Sequence, residues 1–163
     1  MNEALLDALR VAESNGVTLY ILGDVSLNLR RFVERYGWLT YPERHTLIVG
    51  NHDRVVKHAD VYAHCFGTVI GTEKTYRTNM LEIRESVQGV SMRVLLSHYP
   101  QRDLQGAELN LYGHHHNNFQ LYPERFPEHE WGWLLASAQH INVSAEILGY
   151  CPRSLNDPTI RTV

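Results

Sequence analysis

Leu47-Ile48-Val49-Gly50-Asn51-His52-Asp53 decides the reading of this chain. An apolar run stops at a glycine, and an amide, an imidazole and a carboxylate follow with no spacer. Three other runs end the same way. Tyr20-Ile21-Leu22 leads into Gly23-Asp24, Val94-Leu95-Leu96 into Ser97-His98, and Leu109-Asn110-Leu111-Tyr112 into Gly113-His114-His115-His116. Short runs rich in Val, Ile, Leu and Tyr are expected as buried strands. Ligands of open α/β sheets sit just beyond the carboxyl ends of the strands. Four strands would therefore bring Asp24, Asn51-His52-Asp53, His98 and the histidine cluster to one rim. Such oxygen and imidazole donors suit Mn, Fe, Ni or Zn rather than a thiolate site.

Composition sets the bounds. A chain of 163 residues is long enough for a real core and is expected as one domain over 1–163. Its hydrophobic fraction of 44% and charged fraction of 20% are those of a soluble globular chain. A net charge of −3 offers no electrostatic footprint for a nucleic-acid backbone. Small nucleotides stay open, because a bound metal supplies local positive charge for a phosphate. Cys65 and Cys151 fit neither a disulfide framework nor a Cys-pair zinc site. No run is long and apolar enough to span a membrane and the N-terminus lacks a basic-then-apolar signal, so a cytoplasmic location is expected. Of ten histidines, five fall in the stretches quoted above.

Along the chain, Ala4, Leu5, Ala8, Leu9 and Ala12 form one apolar stripe at helical spacing, and Asn15-Gly16 is a natural stop. Val17–Leu22 reads as a strand, Leu27–Tyr36 as a helix ended by Gly37, and His45–Val49 as a second strand. That alternation is the parallel α/β pattern. Arg54–His58 is expected to start a helix. From Val61 the texture changes: Phe66–Ile70, Tyr76–Arg84 and Ser91–Leu96 read as strands of an antiparallel addition to the sheet. Gln101–Gly106 is a polar loop, Glu108–Tyr112 a strand and His140–Val143 a late strand. Pro123 and Pro127 break the aromatic stretch Asn117–Trp133, whose rings are expected to cap a small core or line a pocket. The tail Pro152–Val163 reads as loop.

Each cluster has a plain structural reading beside the chemical one. Asp24 suits a helix N-cap as well as a ligand, and Asn51-His52-Asp53 suits a cap and turn. An isolated His98 would more often be a core histidine. Asp53 beside His52 could hold the imidazole in one tautomer and raise its basicity. In an extended chain His114 and His116 share a side, which leaves His115 facing away, on the surface or behind the ligands.

The order of these motifs resembles the calcineurin-like metallophosphoesterase superfamily, in particular its small single-domain bacterial and phage members. The resemblance covers almost the whole chain, including the Leu47–Asp53 block, Leu95-Leu96-Ser97-His98-Tyr99-Pro100 and Ile141-Asn142-Val143. It implies a sandwich of mixed β-sheets flanked by helices, a two-layer α/β/α-like fold. It also implies hydrolysis of a phosphodiester or small nucleotide phosphoester by in-line attack of a metal-bound hydroxide. Asp24 would bridge two metals, Asn51, His98 and His114 would complete the second site, and His116 would bind the first. His52 would contact the phosphate and assist the leaving oxygen, with Asp53 orienting it. Mn²⁺ is the ion the resemblance favours, with Fe, Ni or Zn as alternatives.

One departure stands out. The family opens with a strand ending in Asp-x-His, and Met1–Gly16 contains no histidine. The first strand and the first metal-binding motif are therefore expected to be missing, leaving one metal in place of two and an unpaired sheet edge that favours pairing with another chain. Three explanations compete: a start assigned too far downstream, a shortened one-metal enzyme, or a catalytically impaired relative that keeps the fold as a protein- or nucleotide-binding module.

Overall fold

The structure, a computed structural model, describes residues 3–26, 28, 33–34, 41–87, 89–116, 139–145, 147–149 and 152–156, with the backbone alone for 3–6. The apolar stripe near the N-terminus forms helix α1 (Glu3–Ser14). It stops as expected: Gly16 turns left-handed at φ 71° and its amide donates to the Glu13 carbonyl at 2.9 Å.

Strands β1 (Leu19–Ile21) and β2 (His45–Ile48) pair in parallel, Leu19 opposite His45. Helix α2 (Ala59–Cys65) then carries the chain back to β3 (Thr68–Ile70), which extends the same sheet in parallel, Leu47 opposite Val69. The order of this sheet is β1-β2-β3, so β1 is an edge among the described strands. The second sheet opens with an antiparallel hairpin, β4 (Met80–Val87) and β5 (Val90–Ser97). Strands β6 (Leu109–Tyr112) and β7 (His140–Asn142) join β5 in parallel, giving the order β4-β5-β6-β7.

The deciding stretch explains how the layers stack. Along β2 and just past it, Leu47 and Val49 pack with Leu9 of α1 and Tyr62 and Cys65 of α2. Ile48 points the other way, into Val94, Leu96, Leu109, Leu111 and Ile141 of the second sheet. Leu47, Ile48 and Val49 are each 0% exposed. Burial on both faces is why this strand reads as an unbroken apolar run, and each such side chain contributes about 1.5–3 kcal/mol. The result is an α/β arrangement of helices on one sheet and that sheet on a second, consistent with a sandwich.

Three expectations need correction. Arg54–His58 is a turn, with the Lys57 and His58 amides donating to the Arg54 carbonyl, and the helix begins only at Ala59. Within Phe66–Ile70 only Thr68–Ile70 is strand, and it is parallel because α2 reverses the chain before it. The strand expected from Tyr76 begins at Met80, because Thr72, Thr75 and Asn79 tie the preceding residues into a loop. The expected helix Leu27–Tyr36 apart from residues 28, 33 and 34, the stretch Asn117–Trp133, Cys151 and most of the tail lie outside the described residues. Among the described residues no helix is long and apolar enough to cross a membrane.

Candidate metal centre

The loops after β1 and β2 touch so closely that side chains are excluded between them. Gly23 sits at φ 84°, and a Cβ there would lie 2.6 Å from His98 Nδ1 and 2.7 Å from the Gly50 nitrogen. A Cβ on Gly50 would run into the Asp24 carboxylate. Asp24 itself is left-handed at φ 53°, a conformation that costs a residue with a side chain about 1–3 kcal/mol.

Asp53 holds that conformation in place. Fully buried, its carboxylate accepts hydrogen bonds from the amides of Asp24 at 3.0 Å, Val25 at 2.9 Å and Gly50 at 2.8 Å. Burial pushes its carboxyl up to about 6, against the opposing pull of these amide bonds. The role expected for Asp53, orienting His52, is thereby revised: both oxygens face backbone amides, and the residue clasps two strand ends. His52 is exposed, and its own amide donates to Asp24 Oδ1 at 2.8 Å.

His98 follows β5 and is buried. Its Nδ1 lies 2.7 Å from the Leu22 carbonyl, which can only accept, so Nδ1 carries the proton and Nε2 a lone pair. That Nε2 faces His114 Nδ1 at 2.9 Å, Asn51 Oδ1 at 3.1 Å and Asp24 Oδ2 at 3.5 Å. A proton on His114 Nδ1 would satisfy one of these contacts. It would leave the Asn51 and Asp24 oxygens facing a nitrogen lone pair. Four donor atoms converge on a place that could hold a cation. Ligands about 2.1 Å from a shared ion stand about 3.0 Å apart in octahedral and about 3.4 Å apart in tetrahedral geometry. The three spacings from Nε2, 2.9, 3.1 and 3.5 Å, lie in or within about 0.1 Å of that range.

The ligand atoms of Asp24, His98 and His114 all lie within 4.8 Å of one another. Burial lowers the His98 pKa, opposed by Asp24, and takes His114 down to about 4. Both imidazoles are therefore neutral at pH 7, the form that binds a metal. A carboxylate oxygen, an amide oxygen and two imidazole nitrogens fit a divalent ion of the Mn, Fe, Ni or Zn group.

The two remaining members of the histidine cluster lie apart from that group. His116 is exposed and left-handed at φ 51°. It lies near enough for its charge to weigh on His98 and His114, yet it stands outside the close-set group of ligand atoms. His115, expected on the surface or behind the ligands, is buried, with its ring 5.2 Å from that of His114, 6.1 Å from that of Tyr99 and 5.8 Å from that of Tyr112. Residues 114–116 form a turn after β6 and not the extended chain on which strict alternation depends.

Several supporting residues were not singled out from sequence. Asn110 accepts from the Gln101 amide at 3.0 Å and donates to the Leu95 carbonyl and to Ser97 Oγ, both at 2.9 Å, fixing the turn that carries His98. The His98 carbonyl accepts the amides of Gly113 at 3.2 Å and His114 at 3.0 Å, which joins two ligand loops. Asn142 donates to the His116 carbonyl at 2.6 Å. The available signal was an amide inside an apolar run, Leu109-Asn110-Leu111 and Ile141-Asn142-Val143. Tyr76 and Tyr99 wall the site, their ring centroids 5.8 and 5.0 Å from that of His114, and no sequence pattern marks them. Comparison with protein-family models, with curated proteins and with solved structures gave no match in any of the three.

Proposed function

We propose that the chain is a metal-dependent phosphoester hydrolase of the calcineurin-like type, acting on a phosphodiester or a small nucleotide phosphoester. The observation that carries this reading is the convergence of Asp24 Oδ2, Asn51 Oδ1, His98 Nε2 and His114 Nδ1 from four strand ends. These residues would hold one divalent ion, Mn²⁺ or a similar metal. When bound, such an ion offsets phosphoryl charge and lowers the pKa of a coordinated water. The chain's own groups supply the rest. Asp24 keeps Oδ2 directed at the centre while Oδ1 accepts the His52 amide. The exposed imidazole of His52, next in sequence to Asn51, would give a proton to the leaving oxygen. Tyr76 and Tyr99 keep water from one flank of His114.

The alternative is a module that keeps the fold and binds a protein or nucleotide without hydrolysing it; among the described residues the close-set group offers donors for one ion, with His116 outside it. Hydrolysis of an aryl phosphodiester with added Mn²⁺ separates the two. The enzyme reading predicts turnover that Asp24→Ala lowers by more than about 100-fold, beyond what loss of a group behind the ligands costs. Metal binding by a folded chain with no turnover would overturn it in favour of the module.

A further inference from the structure

A second built feature adjoins the centre. Arg77 lies with its guanidinium carbon 5.2 Å from the Tyr99 ring centroid and 5.7 Å from that of Tyr76, and its Nε donates to Tyr76 Oη at 3.0 Å. The two tyrosines meet edge to face at 5.8 Å, and both pack on the His114 ring. Steps of 5.2 Å from Arg77 to Tyr99 and 5.0 Å from Tyr99 to His114 put the guanidinium within about 10 Å of a metal ligand.

This arm is fixed in place. The Gln101 side-chain amide donates to the Arg77 carbonyl at 2.8 Å and to the Tyr99 carbonyl at 2.7 Å, stapling the two segments together. Buried Asn79 donates to the Val49 and Thr72 carbonyls, both at 2.8 Å, and accepts from Thr75 Oγ1 at 2.7 Å. The loop that bears Tyr76 and Arg77 is thus bonded to the strand end that bears Asn51. A guanidinium held beside two aromatic rings is partly ordered before a phosphate binds, which lowers the entropy cost of binding one. The guanidinium is not among the four donor side chains and adds a basic group beside the centre.

The geometry points to Arg77 as a specificity residue that binds a second phosphate group, one carried by the substrate beside the phosphoester at the centre. The substrate class is then a nucleotide with two separated phosphates, in preference to a simple diester. This inference rests on the phosphoesterase reading. Its test uses thymidine 5′-(p-nitrophenyl phosphate) with and without a 3′-phosphate, which differ only in the second anion.

With Mn²⁺, the unaltered chain should prefer the 3′-phosphorylated compound, mainly through KM. Arg77→Gln should reduce that preference about tenfold, the scale of one hydrogen bond to a charged partner, and Arg77→Lys should restore it only in part. A preference unaltered in Arg77→Gln would overturn the inference. If neither compound is hydrolysed the phosphoesterase reading fails, and binding then decides the role of Arg77. Thymidine 3′,5′-bisphosphate should bind the Mn²⁺-loaded chain more tightly than thymidine 5′-monophosphate, and Arg77→Gln should remove that difference. Equal affinity of the bisphosphate for both chains would overturn it.

Discussion

Asp53 shows how one buried carboxylate can serve a site without touching the chemistry. Its three amide partners belong to both strand ends, and one of them is the amide of Asp24, whose left-handed backbone aims a carboxylate oxygen at His98. Asp53→Ala would leave those amides without their acceptor in a closed interior, where each unpaired group costs about 1–3 kcal/mol. The expected loss is about 3 kcal/mol of stability, read as a lower urea midpoint, together with weaker metal binding. Asp53→Asn keeps an acceptor oxygen and should lose less. Equal stability of Asp53→Ala and the parent chain would contradict the clasp. Gly50 sets the matching limit on space, because any side chain there meets the Asp24 carboxylate.

At the scale of elements, the legible part of the sequence was the part set by local pattern. The four donor-bearing strand ends were readable because each apolar run stops at a short residue followed by a donor, and the structure brings Asp24, Asn51, His98 and His114 together. The direction of β3 was not readable. Phe66–Ile70 has the same apolar texture whether its partner runs parallel or antiparallel, and the choice depends on α2, a long-range matter. The start of β4 was hidden for another reason. Side-chain bonds among Thr72, Thr75 and Asn79 compete with strand pairing, and such local bonds leave no hydrophobic period. For His115 the sequence left surface and interior open, and the turn that carries it decides for the interior. Asp53 was misassigned because adjacency to His52 in sequence suggested a pair, whereas its partners include residues 28 and 29 positions away.

For the molecule as a whole, the buried imidazoles tie stability to pH. Burial lowers the pKa of His98 and His140, and takes His114 and His115 down to about 4 and about 3. Each returns to an ordinary value near 6.5 on unfolding. Below about pH 6.5 the unfolded chain therefore binds more protons than the folded one, and stability falls with pH until the folded values are passed. Asp53 acts in the opposite sense. Its raised pKa means that the folded state takes up the extra proton between about 6 and 4, which favours the fold as pH drops. Four histidines outweigh one carboxylate, so in the presence of a chelator the urea midpoint should be lower at pH 5 than at pH 7.5. A higher midpoint at pH 5 would contradict the burial of these rings as neutral groups. A bound metal adds its own stabilisation, because it binds the folded arrangement of donors and not the unfolded chain.

The claim on which the rest depends is that four side chains from four strand ends form a cation site. Calorimetric titration of Mn²⁺ into the chain and into His114→Ala, at pH 7.5 and with folding checked by circular dichroism, tests it most directly. The account predicts saturable binding by the parent chain and a loss of more than about 100-fold in affinity on removing this ligand. Equal affinity in the two chains would place the metal elsewhere, and the convergence of Asp24, Asn51, His98 and His114 would then need another cause.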